Sequence, residues 1–113
     1  MTNKGGTYNN GTIFKIKNDG TGYATLLDFS GANGSYPTGS LIYDGTFLYG
    51  MTPYGGSGQG TVFKIMLDGT GYVKLLDFVC ANEGACYPQG SLFYDGTFLY
   101  GATSGGKYGN GTL

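Results

Sequence analysis

The octapeptide Tyr43-Asp-Gly-Thr-Phe-Leu-Tyr-Gly50 returns word for word as Tyr94-Asp-Gly-Thr-Phe-Leu-Tyr-Gly101, 51 positions further on. In each copy an Asp-Gly pair separates two short apolar runs. Asp-Gly supplies the positive φ angles of a two-residue hairpin, so the octapeptide reads as two antiparallel strands and their turn. It is the centre of a longer match. Gly11-Thr-Ile-Phe-Lys-Ile16 returns as Gly60-Thr-Val-Phe-Lys-Ile65, and Asp19-Gly-Thr-Gly-Tyr23 as Asp68-Gly-Thr-Gly-Tyr72. Leu26-Leu-Asp-Phe29 returns as Leu75-Leu-Asp-Phe78, and Pro37-Thr-Gly-Ser-Leu41 as Pro88-Gln-Gly-Ser-Leu92. The offset drifts from 49 to 51, and the drift falls in Gly-rich segments where loops tolerate insertion. A third copy opens at Gly105-Gly106 and reaches Gly111-Thr112-Leu113.

Each unit holds four apolar runs bounded by turn residues: in the first, about Thr12 to Lys17, Tyr23 to Phe29, Ser40 to Tyr43 and Phe47 to Thr52. Asn18-Asp19-Gly20 marks a slightly longer hairpin between the first two. No window keeps a 3.6-residue period, so no helix is expected. Four antiparallel strands per unit of about 50 residues predict an all-β protein of tandem β-propeller-type blades, about two per chain and too few to close a ring. Leu41 and Tyr43 then face one side of their sheet and Ile42 the other, as in a sheet packed between neighbours. Parallel β-helices have shorter periods and no tight hairpins.

Composition fits that reading. Among 113 residues are 24 Gly and 11 Tyr, the glycines without a collagen-like period. Six lysines oppose seven acidic residues, with no Arg, no His and no basic cluster, so a nucleic-acid partner is not expected. No apolar run is long enough for a helical membrane span. No apolar segment follows Met1-Thr-Asn-Lys4, so any export signal is expected outside this chain.

Taken in order, Gly-Gly, Gly-Thr-(Ile/Val)-Phe-Lys-Ile, Asp-Gly-Thr-Gly-Tyr, Leu-Leu-Asp-Phe, Pro-x-Gly-Ser-Leu and Leu-Tyr-Gly-x-Thr resemble the Gloeobacter/Verrucomicrobia (GloVer) tandem repeat across nearly the whole chain. The resemblance implies a secreted or surface-anchored bacterial repeat protein and brings no catalytic residues with it. The strand order also looks like that of NHL-type propellers. That analogy makes Pro-x-Gly-Ser-Leu the innermost strand, Phe-Leu-Tyr-Gly the second, Gly-Thr-Val-Phe-Lys-Ile the third and Tyr-Val-Lys-Leu-Leu-Asp-Phe the outermost.

On that order residues 1–36 carry the outer strands of one blade, 37–87 a complete blade with its following loop, and 88–113 the inner strands and the start of the third strand of another. Expected partners are further repeats in cis, as for a piece of a longer array, or copies of the same chain joined end to end.

Cys80 and Cys86 lie in a loop two residues longer than its first-unit counterpart. An oxidising compartment, which the resemblance implies, favours a disulfide between them over two free thiols. No metal site or cofactor is expected, since two Cys without a His make no zinc set and no Asp-x-Asp-x-Asp loop occurs. Asp19, Asp68, Asp44 and Asp95 belong to hairpin turns, while Asp28 and Asp77 cap strand ends or face solvent. Asn10-Gly-Thr, Asn33-Gly-Ser and Asn110-Gly-Thr match the glycosylation pattern but read first as turns, and Gly56-Ser-Gly-Gln-Gly60 reads as a loop.

In a four-stranded meander the joins after strands two and four share one face. Here these are the long, length-variable loops rich in Gly, Tyr and Asn. Tyr36, Tyr54, Tyr87 and Tyr108, with Asn33 and Asn82, are candidates to stack on and hydrogen-bond to a glycan or peptide, the alternative being aromatics that merely pack the loops. Lacking His, the chain has few parts for acid–base or nucleophilic catalysis. The expectation is a non-enzymatic extracellular structural or adhesive module, with a glycan-binding lectin as the second reading.

Overall fold

In a computed structural model, residues 1–79 and 86–105 are described. They contain strands and turns and no helix. The strands are β1 (Thr12–Lys15), β2 (Ala24–Asp28), β3 (Ile42–Tyr43), β4 (Phe47–Thr52), β5 (Thr61–Met66), β6 (Val73–Asp77), β7 (Cys86–Tyr94) and β8 (Leu99–Gly105). They make three antiparallel sheets: the pair β1-β2, the four-stranded meander β3-β4-β5-β6, and the pair β7-β8. The repeat units of the sequence are therefore offset from the sheets. The meander takes its first two strands from one octapeptide and its last two from the segment that follows.

Every position of the octapeptide has a structural task. The Asp44 carboxylate accepts the Thr46 and Phe47 amides at 2.8 and 2.7 Å through Oδ1, and the Tyr49 hydroxyl at 2.7 Å through Oδ2. Asp95 repeats the set with Thr97, Phe98 and Tyr100 at 2.9, 2.7 and 2.9 Å. The Asp44 amide donates to Phe47 O at 3.2 Å, so the two central turn residues are Gly45 and Thr46 rather than Asp44 and Gly45. Only Gly45 has a positive φ, +101°, and Asp44 contributes its side chain instead of a left-handed backbone. Gly50 is small because a Cβ there meets Phe63 Cζ at 2.6 Å.

The meander carries a buried core on each face, while β6 stays largely exposed. On β5, Phe63 and Ile65 point to one side, where they form a core with Ile13 and Phe29 of the first pair. Leu41, Leu48 and Tyr72 of the meander and Leu26, Leu27 and Met1 complete that core. The Phe29 and Phe63 rings meet edge to face across it, 5.4 Å apart. Val62, the residue before Phe63, points the other way and packs with Met51 and with Leu92 of β7; Ile42, Tyr49, Phe78 and Leu99 surround them. Leu41 and Ile42 thus serve opposite faces, as the alternation predicts.

One irregularity recurs at the same place in both outer hairpins. The β1-β2 register shifts between Ile13 and Phe14, and the β5-β6 register between Val62 and Phe63. Leu26 and Leu75 are left as the extra residues opposite. A bulge of this kind turns two successive side chains to the same side, which is how Leu26 and Leu27 both reach one core. The Leu-Leu doublet would otherwise place one of them on the opposite face.

Candidate functional site

The loops after β2 and β4 converge, and Tyr87 near the start of β7 meets them at Tyr54. Gly56 N donates to Gly31 O at 2.7 Å and Ser35 N to Tyr54 O at 2.9 Å, tying the first two loops together. At the base of this cluster the Thr52 and Thr61 hydroxyls are 2.8 Å apart, and Thr52 Oγ1 also donates to Tyr54 O at 2.8 Å. The Tyr54 carbonyl is thereby held from two directions while its ring projects outward.

Tyr36 and Tyr87 occupy equivalent places, each directly before the proline that opens Pro-x-Gly-Ser-Leu, and both have left-handed backbones, φ 54° and 53°. Such conformations cost a non-glycine residue of order 1–3 kcal/mol and persist where surrounding contacts fix them. The fixing contacts are visible here. Tyr36 N donates to Asn10 O and Tyr87 N to Gln59 O, both at 2.8 Å. Pro37 and Pro88 close over Gly11 and Gly60, where a Cβ would meet the proline Cδ at 2.6 Å in each case.

The result is a row of three rings. Tyr36 and Tyr54 centroids are 6.1 Å apart and nearly perpendicular, and Tyr54 and Tyr87 are 5.6 Å apart. Tyr54 is half exposed and the two flanking tyrosines are partly buried. Such a row offers apolar ring faces with hydroxyl edges, suited to stacking on a sugar or a flat polar group.

Of the other candidate residues, Asn33 is in the same loop, but its side chain is engaged locally. Its Oδ1 accepts Ser30 N at 2.7 Å and Ser30 Oγ at 3.2 Å, and its Nδ2 donates to Asp28 O at 3.3 Å. Its carbonyl accepts the Tyr72 hydroxyl at 2.6 Å, a bond that spans the two sheets. Asn82 and Tyr108 lie outside the described residues. So does Cys80, and with it the expected bridge to Cys86, which is buried at the start of β7. Among the described residues no three His, Cys, Asp or Glu side chains gather to hold a metal ion.

Two features were not anticipated from the sequence. Asp28 and Asp77 serve the Gly-Gly loops: Asp28 accepts Thr7 N at 3.3 Å and Thr7 Oγ1 at 3.0 Å. A Cβ on Gly6 or on Gly56 would strike the corresponding carboxylate. Asp77 pairs instead with Lys74 at 2.9 Å, leaving its Oδ1 without a hydrogen bond. The second feature is an apolar cleft of about 360 Å³, away from the tyrosine row and lined by Met51, Val62, Leu75, Leu76, Phe78 and Leu92 among others. Its sequence signal was available, because Leu75-Leu76 repeats the Leu26-Leu27 pair whose neighbours are elsewhere in the chain.

One four-stranded antiparallel meander between two hairpins, built from repeated sequence, defines an all-β tandem-repeat protein. A family model agrees: the Gloeobacter/Verrucomicrobia repeat matches residues 1–113, and the chain belongs to that family. No curated protein and no solved structure matched it.

Proposed function

We propose that the chain is a non-enzymatic structural or adhesive module of an extracellular bacterial protein, its sheets being propeller blades completed by further units. The observation that carries this reading is the meander's two-sided burial between strands equivalent to its own. A unit built this way gains its core only from neighbours. A close approach between consecutive units at the Pro-x-Gly-Ser-Leu segments supports placing them innermost. Gly39 lies so close to Gly90 that a Cβ would clash with its carbonyl, and Ser40 N donates to Ser91 Oγ at 2.8 Å. Small-angle scattering on a tandem of six to eight units, within the usual propeller range, tests the arrangement. A compact, ring-like profile is expected, and a rod whose length grows with unit number would overturn it.

The tyrosine row favours one second reading, a glycan-binding lectin. Its central ring, half exposed on a loop, is flanked by two partly buried left-handed tyrosines whose backbones neighbouring segments hold in place. A glycan array probed with the wild-type chain and with Tyr54→Ala and Tyr87→Ala decides it. Binding that both substitutions abolish supports the lectin, and silence across the array counts against it.

A further inference from the structure

The two interfaces of the meander are chemically the same but unequally filled. At the first, Phe63, Ile65 and Tyr72 cover Leu26, Leu27 and Phe29. At the second, Leu75, Leu76 and Phe78 are the equivalents of those three covered residues, and among the described strands only β7-β8 stands opposite. Leu75 is 43% and Leu76 50% exposed, whereas Phe29 is fully buried. They line the apolar cleft, and among the described residues no third and fourth strand beside β8 carries counterparts of Phe63, Ile65 and Tyr72.

Those counterparts exist at the other end of the chain. Phe14, Ile16 and Tyr23 are the first-unit equivalents, on the face of β1-β2 turned away from its own core. Phe14 and Tyr23 are 5.7 Å apart, much as Phe63 and Tyr72 are 6.0 Å apart, so the face already has its docking shape. Ile16 is 49% and Tyr23 60% exposed. Gly69 abuts Leu26 O across the filled interface, while around its equivalent Gly20 the space is open. The strand edges match as well. Among the described residues β8 pairs with β7 alone, and the far edge of β1 is bridged only at Thr12, by Thr2. In the meander Lys64 lies over the Phe47 ring at 4.2 Å, whereas the equivalent Phe98, just before β8, is 62% exposed.

We infer that the cleft beside β8 is the seat for β1-β2 of a second copy of this chain, which docks Phe14, Ile16 and Tyr23 onto Leu75, Leu76 and Phe78. The contact deepens the repeat reading above, on which it rests, by naming the completing unit. It is head to tail, so successive copies close a ring or continue as a filament. Its outer strands align β1 of the incoming copy beside β8, Phe14 to Lys17 against Phe98 to Gly101, the register that β5 has on β4.

Light scattering and sedimentation over a concentration series test the docking. The wild-type chain is expected to form integral multiples of its own mass. Phe14→Lys/Ile16→Lys blocks the strand face and Leu75→Lys/Leu76→Lys blocks the cleft, so each folded variant is expected to be monomeric. Mixed, they retain one productive interface and should form a 1:1 dimer of twice the chain mass. The single changes Ile16→Glu and Leu76→Glu provide the same complementation should a double variant fail to fold. A wild-type chain that stays monomeric overturns the inference, as does a mixture of folded variants that stays monomeric. Fusing two copies in tandem separates this failure from that of the repeat reading. If the isolated chain is monomeric but the fusion melts higher than the single chain, repeats complete one another only in cis. If the fusion gains nothing, both readings fall.

Discussion

The turn aspartates show how a charged residue is tied to one local structure. Asp44 is held below its ordinary carboxyl value by the Phe47 amide first, then by the Tyr49 hydroxyl and the Thr46 amide. Asp95 behaves alike, through the Phe98 amide first, and Asp19 and Asp68 through the hydroxyls of Thr21 and Thr70. A depressed carboxyl binds its proton more weakly in the folded chain. Its stabilisation is therefore complete above the ordinary value of 3.8 and is lost as pH falls through that value and below. The Tyr49 hydroxyl is pushed from 10.0 up to about 12, chiefly by its bond to Asp44 and then by burial. Its contribution is present below pH 10 and disappears as pH climbs towards 12. Thermal melts across pH are expected to form a plateau with losses at both ends, and Tyr49→Phe should blunt the alkaline loss. An unchanged melting temperature from pH ~5 down to ~3 would contradict the acid limb. These carboxylates are exposed, so solvent screening limits each contribution.

Strands of identical sequence pattern do unequal work because their neighbours differ. Phe63 and Phe14 occupy the same place in Gly-Thr-x-Phe-Lys-Ile, yet Phe63 is fully buried and Phe14 only partly so. Phe63→Ala is expected to cost about 3–5 kcal/mol, the usual range for a buried phenylalanine. Phe14→Ala, measured where the chain is monomeric, should cost about 1 kcal/mol or less. Equal losses in urea titrations would mean that the two faces are alike in solution. The strands themselves were legible in the sequence: all four of the first unit's apolar runs became β1 to β4, and the third-strand run of the second became β5. Turn residues and two-residue alternation are local signals, and local signals survive into the fold. The bulge at Leu26 and Leu75 was not legible, because alternation alone places neighbouring leucines on opposite faces. Nor were the left-handed tyrosines, since a residue before proline is normally biased to extended backbone. The convergence of Tyr36, Tyr54 and Tyr87 followed from the loop-face argument, whereas the engagement of Asn33 within its own loop did not.

Across the molecule, cohesion comes from two layers of apolar contact on either side of one meander, not from a single enclosed centre. Among the described residues the layer towards β1-β2 is filled from both sides, and the layer towards β7-β8 opens at the apolar cleft. Stability in such an array is a sum of units and of contacts between nearest neighbours. The chain is therefore held more firmly at Phe29 and Phe63 than at Phe78 and Leu92.

The offset between sequence period and sheet has a genetic consequence. The meander draws its first two strands from one octapeptide and its last two from the segment that follows, so its two faces come from different sequence units. Duplication or loss of one whole period in the DNA then adds or removes one donor face together with one acceptor face. The remaining joints keep the side chains they had, so such proteins can change length by recombination without redesigning a single contact.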